Sequence, residues 1–150
     1  MSNGNRTILL VEDDFNDVIL IQRAFRKANL AYPLQVVGNG QAALDYLVGV
    51  NDYANREHYP LPVLMLLDLK LPRKSGLEVL AWLRQQTVLK RLPVVVLTSS
   101  RENTDLKQAY DLGANSYLVK PVGFEALLEM VKILNLYWLI LNQPPDAEAG

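Results

Sequence analysis

LLVEDD (residues 9–14) is an unbroken apolar run that stops abruptly at Glu12, Asp13 and Asp14. The same punctuation recurs three times. LLDLKLP (66–72) breaks at Asp68, LTSS (97–100) at Thr98, and LVKP (118–121) at Lys120. A short, continuous apolar run bounded by polar residues is the pattern of a strand covered on both faces, as in a parallel sheet. Five runs fit: Thr7–Val11, Leu34–Val37, Val63–Leu67, Val94–Leu97 and Tyr117–Val119.

Helical patterns separate them. Val18, Ile21, Phe25 and Ala28 keep one face through a first helix, and Ala43, Leu44, Leu47 and Val48 through a shorter second. Ser75-x-x-Glu78 has the form of a capping box, opening a third helix through Leu77, Leu80, Ala81 and Arg84. A fourth spans roughly Asn103–Leu112, stopped by Gly113, and a fifth follows Pro121-Val122-Gly123 towards Asn142. Strand and helix alternate five times, which predicts an α/β domain built on a doubly wound parallel sheet with right-handed crossovers. Gly49 to Pro62 reads as a long polar loop.

The chain has 150 residues, half of them hydrophobic, and a formal charge of −1. That suits one domain, residues 1–142, with a disordered tail over 143–150 and no output domain. The balanced charge argues against a nucleic-acid partner. There is no cysteine, hence no disulfide, thiolate metal site or cysteine nucleophile. MSNGNRT lacks the apolar core of a signal peptide, and no apolar stretch reaches the ~20 residues of a membrane span. A cytoplasmic protein without membrane association is the expectation.

Ligands of open parallel sheets bind beyond the carboxyl ends of the strands, where strand order reverses. In order 2-1-3-4-5, strands one and three are neighbours there, bringing Glu12, Asp13 and Asp68 together. Strand two, at the edge, ends at Gly38 without a reactive residue. Three carboxylates in one cleft repel one another and call for a cation, and oxygen-only ligation favours a hard ion such as Mg²⁺. An Asp carboxylate is a competent nucleophile for phosphoryl transfer; metal and Lys120 would neutralise the charge of the group in flight, and Thr98 would donate to its oxygen. Singly, each residue has a plainer reading. Acidic pairs suit helix N-termini, the reading kept for Asp14 and Asp17, and a lone Asp, Thr or Lys can be a cap, a turn or a solvated charge. Four strand ends with the right types in a consistent order outweigh those readings.

VEDD, LLDLKLP-x-x-x-G, VVVLTSS and GANSYLVKP together resemble the motifs of the bacterial response-regulator receiver domain, in order, over roughly residues 6–134. The resemblance implies a flavodoxin-like (βα)₅ fold and phosphoacceptor Asp68. It also implies Mg²⁺ held by Glu12, Asp13, Asp68 and the backbone carbonyl of Lys70, with Thr98 and Lys120 on the phosphoryl group and Tyr117 turning inward as Thr98 moves. A cis Lys120–Pro121 bond is implied as well. Glu12 stands where Asp is commoner, which should shift metal ligation towards a water bridge. The loop with DYAN (52–55) and the ending YWLILNQPP (137–145) resemble the single-domain regulators paired with cyanobacterial phytochrome-type histidine kinases. Such a protein is no enzyme in the ordinary sense but a phosphoacceptor assisting its own phosphorylation and dephosphorylation. It switches partner binding in two-component signalling, or serves as a phosphorelay intermediate passing the group to a phosphotransfer protein.

Rival readings are weaker. Gly38-x-Gly40-x-x-Ala43 matches a relaxed dinucleotide fingerprint, but it follows the second strand and leaves Glu12, Asp13 and Lys120 without a role. A phosphatase using Asp68 would want a general acid at position 70, which is lysine. His58, the only histidine, reads as a solvated loop residue. Finally, Ile133, Leu134, Leu136, Tyr137, Trp138, Leu139, Ile140 and Leu141 are too apolar for a helix with one buried face. A homodimer through helices four and five and the last strand is the expectation.

Overall fold

The computed structural model describes residues 6–30 and 32–141. β1 (Thr7–Val11), β2 (Leu34–Val37), β3 (Pro62–Leu67), β4 (Val94–Thr98) and β5 (Ser116–Val119) form one sheet in the order β2-β1-β3-β4-β5. Every pairing is parallel. α1 (Phe15–Lys27), α2 (Gly40–Val48), α3 (Gly76–Leu83), α4 (Asn103–Asp111) and α5 (Phe124–Leu134) make the crossovers. The expected doubly wound fold is present, with strand limits within one residue of those read from the sequence.

The continuous apolar runs follow from burial on two sides. Leu9, Val11, Met65, Leu67, Val94 and Val96 pack against α2 and α3, while Ile8, Leu10, Leu64, Leu66, Val95 and Leu97 pack against α1 and α5. Successive strand residues point to opposite faces, so each run has to be apolar throughout. The polar residues that end the runs are left in one row along the carboxyl edge.

Two helix faces differ from the sequence reading. In α3 the buried residues are Gly76, Val79, Leu80 and Leu83, whereas Leu77, Ala81 and Arg84 are half-buried. The reason is Gly76: a Cβ there would lie 2.2 Å from the Asp68 carbonyl oxygen, so the helix meets β3 on its glycine side. Arg84 is a clamp, donating to the carbonyls of Lys90, Leu92 and Gly113. In α2, Val48 is exposed and Tyr46 takes the core position. Its hydroxyl donates to the Pro60 carbonyl at 2.8 Å, and its ring lies against Tyr53 and Tyr59. Arg56 donates to the carbonyls of Tyr46, Leu47 and Tyr59. The 49–62 segment is therefore a packed unit containing a 3₁₀ turn at Asn51–Tyr53, with His58 exposed on its surface.

Gly40 also has a packing role. Its Cβ would fall 1.9 Å from the Lys74 carbonyl oxygen, which accounts for the glycine of the apparent dinucleotide motif without any cofactor. Gly76→Ala should lower stability by about 1–3 kcal/mol, because overpacking against backbone cannot be relieved by a rotamer change. Urea midpoints of the two proteins check this; an unchanged midpoint would show that α3 can retreat freely from Asp68.

The fifth helix continues beyond Leu134 as a π-wound segment, Asn135–Leu141. Leu134 and Leu139 are buried with Ile21, Ala24 and Phe25 on the α1 side, while Ile133, Leu136, Tyr137 and Ile140 are exposed. The tail expected over 143–150 lies outside the described residues. Among the described residues no helix is long and apolar enough to cross a membrane.

Candidate functional site

Register brings the strand-end residues together. Val11 pairs with Leu67, so Glu12 and Asp68 each lie one step beyond a paired residue, and the Asp68 N–H donates to the Val11 carbonyl at 3.1 Å. Thr98 pairs with Val119, and the Lys120 N–H donates to the Thr98 carbonyl at 2.8 Å. Glu12, Asp68 and Thr98 are buried and Asp13 is exposed. Carboxylate oxygens of Glu12, Asp13 and Asp68 lie within 4.8 Å of one another.

Asp68 is held firmly. Its Oδ1 accepts from the Leu69 amide at 2.7 Å and the Lys70 amide at 3.4 Å, while Oδ2 is 3.2 Å from Lys120 Nζ. The Lys120 ammonium also contacts Glu12 Oε1 at 2.5 Å and Asp17 Oδ2 at 2.8 Å. Asp17 is the partner that sequence reading missed. Asp14 behaves as read, capping α1 by accepting from the Asn16 and Asp17 amides, but Asp17 also pairs with Lys120. The available signal was its place in the first turn of a helix that starts at the acidic strand end.

The Lys120 ammonium thus meets three carboxylates, Glu12, Asp17 and Asp68, and Asp13 adds a fourth to the same cluster beside Glu12 and Asp68. An oxygen-only, net-negative cluster with no sulfur or imidazole ligand suits a hard divalent cation. Burial pushes Glu12 up from 4.5 to about 7; its hydrogen bonds to Lys120 and the Asp14 amide pull the other way, and the Asp68 charge adds to the rise. A protonated Glu12 cannot serve as an anionic ligand, so divalent-ion affinity should rise with pH through about 7. The stability sign is opposite. The folded chain holds this proton more tightly than the unfolded one, so without added divalent ion Glu12 stabilises most below pH 4.5, and that contribution is lost as the pH rises through about 7. Calorimetric Mn²⁺ titrations across this range, compared with Glu12→Gln, check the first sign; a flat profile would place Glu12 outside the ion's influence.

Around Thr98, the Ser100 amide donates to Thr98 Oγ1 at 3.4 Å, and the half-buried Tyr117 donates its hydroxyl to the Ser100 carbonyl at 3.0 Å. The implied cis bond is corrected: no peptide bond is cis among the described residues, and Lys120–Pro121 is trans, the form favoured for X–Pro by about 0.5–1 kcal/mol.

Comparisons with known proteins agree with this geometry. Residues 8–132 match the family of the response regulator receiver domain. The chain is 42% identical over 138 residues to the probable methanogenesis regulatory protein FilR2 of Methanothrix harundinacea, covering 92% of this chain and 86% of that one. It is 41% identical over 138 residues to the response regulator Rcp1 of Synechocystis sp., covering 92% of each. The structure of Mn²⁺-bound Rcp1 superposes with a TM-score of 0.83 at 39% identity, over 94% of this chain and 99% of that one. The phosphorylated cyanobacterial phytochrome response regulator RcpA superposes with a TM-score of 0.86 at 38% identity, over 94% and 99% of the two chains. With the sheet order, the acidic strand ends and a family match spanning most of its length, the chain belongs to the response regulator receiver domains, the signalling modules of two-component systems.

Proposed function

We propose that Asp68 accepts a phosphoryl group from a histidine kinase in a Mg²⁺-dependent reaction. The observation that carries this reading is the arrangement around one buried carboxylate. Backbone amides hold its Oδ1, Lys120 faces its Oδ2, and the carboxylates of Glu12 and Asp13 stand beside it, where they could hold a cation. With the ion bound, the backbone carbonyl of Lys70 would join them in the ligand set, as the family resemblance implies. An Asp68 oxygen forms a bond to phosphorus as the phosphorus–nitrogen bond of the phosphohistidine breaks, and the imidazole nitrogen keeps the electron pair and takes up a proton. The cation supplies charge neutralisation when bound; this chain's own residues orient the nucleophile and place Lys120 over the incoming group.

Thr98 then donates its hydroxyl to a phosphoryl oxygen and draws its loop inward, and Tyr117, tied to the Ser100 carbonyl, carries the change to the outer surface. Mass spectrometry of chain incubated with acetyl phosphate and Mg²⁺ should locate the added group on Asp68. A phosphoryl group found elsewhere would refute the assignment.

Likeness to the cyanobacterial phytochrome response regulator RcpA supports a phytochrome-type kinase as donor. Phosphotransfer profiling against purified histidine kinases decides it, with such a kinase expected to react fastest. The exposed apolar residues of the last helix, Ile133, Leu136, Tyr137 and Ile140, with Tyr110 on α4, support a homodimer. Sedimentation should give a dimer at micromolar concentration that Ile133→Glu with Tyr137→Glu converts to monomer; a wild-type monomer would rule the dimer out.

A further inference from the structure

Asp105 is a buried carboxylate, 8% exposed, that nothing in the proposed phosphoryl chemistry employs. It lies in the first turn of α4, yet its Oδ2 makes two contacts outside that helix. It accepts from Ser100 Oγ at 2.6 Å, and it lies 3.3 Å from Lys70 Nζ. Asp105 therefore joins the loop after β3 to the loop after β4. Each loop touches the candidate site independently: the Lys70 amide donates to Asp68, and Ser100 touches Thr98 by its amide and Tyr117 by its carbonyl.

The two ends of the Asp105–Lys70 pair differ in freedom. Asp105 is fixed by its helix and by Ser100, whereas the Lys70 side chain is 65% exposed and can swing through water. Its backbone is anchored two residues after Asp68. Phosphorylation turns the singly charged Asp68 carboxylate into an acyl phosphate, adding about one negative charge and spreading it over oxygens farther out, towards the loop that carries Lys70. We infer that Asp105 is a positioning residue that competes with the phosphoryl group for Lys70, so that phosphorylation draws Lys70 off α4 and loosens the first turn of that helix. The inference rests on the reading of Asp68 as acceptor. By reciprocity, whatever strengthens the Asp105–Lys70 pair weakens retention of the anion on Asp68.

Beryllofluoride with Mg²⁺, an anionic phosphoryl mimic that forms no aspartyl ester, supplies an equilibrium test. Asp105→Asn keeps an oxygen to accept from Ser100 but loses the charge that holds Lys70. It should bind beryllofluoride roughly two- to five-fold more tightly than wild type, a modest change because a mostly exposed lysine is screened by water. In a Lys70→Ala background the same substitution should change affinity little, a non-additivity that general damage to α4 would not produce. Amide exchange over Thr104–Lys107 should quicken in wild type when the mimic binds and should already be fast in both single variants. Equal affinities for wild type and Asp105→Asn, additive effects in the double variant, or exchange unaltered by the mimic would each overturn the competition while leaving Asp68 as acceptor. Wild type that binds no beryllofluoride, like Asp68→Asn, would overturn the acceptor reading itself and the competition with it.

Discussion

Asp68→Asn is expected to abolish phosphoryl acceptance. No label should enter from acetyl phosphate or from a phosphorylated kinase in Mg²⁺, whereas wild type should gain one phosphoryl group. The substitution is nearly isosteric, and the carbonyl oxygen of Asn can still accept from the Leu69 and Lys70 amides that hold Oδ1. What disappears is the anionic oxygen that the proposed transfer uses as its nucleophile. Stability should change little, because losing the Asp68 charge relieves Glu12 and at the same time removes one counter-charge of Lys120. Divalent-ion affinity should fall with the loss of one of three clustered carboxylates. Labelling that survives the substitution would mean that the acceptor lies elsewhere.

Lys120→Met is expected to be the most destabilising substitution in the site, costing about 2–4 kcal/mol at about pH 8, above the Glu12 titration. The Lys120 side chain is 15% exposed and its ammonium contacts Glu12, Asp17 and Asp68, and removing it leaves Glu12, with a side chain 1% exposed, facing Asp68 without a counter-charge. Burial disfavours the charged lysine, but its hydrogen bonds to Asp17 and Glu12 and the Asp68 charge outweigh that and hold Lys120 above its ordinary value. A raised lysine contributes stability in full below its unfolded value of 10.5 and loses it only as the pH climbs through the higher folded value, so the whole contribution operates at neutrality. The deficit should shrink at about pH 5, where Glu12, raised by burial, takes up a proton, and again on adding Mg²⁺. Urea unfolding at about pH 5 and about pH 8, with and without Mg²⁺, distinguishes this from simple loss of packing, which would respond to neither.

What the sequence determined by itself is the set of local patterns. Doubly covered strands must be apolar throughout, so the positions of all five strands were readable, as were Ser75 at the α3 cap and Gly113, with its φ of +97°, beyond α4. The reactive residues were legible for the same reason: a polar residue that ends a buried run has to lie at the edge of the sheet. Contacts between distant segments were not. Asp17 reaches Lys120 across 103 residues of chain, which requires β5 and α1 to be docked on the sheet. The α3 face depends on how near Gly76 approaches the Asp68 backbone, and the core place of Tyr46 on Tyr53 and Tyr59 folding over it. Asp105, an unremarkable helix-start acid in sequence, gains its partners only when the β3 and β4 loops converge. Periodicity reports which side of an element is buried against something; which residue it meets is decided by packing between elements far apart in the chain.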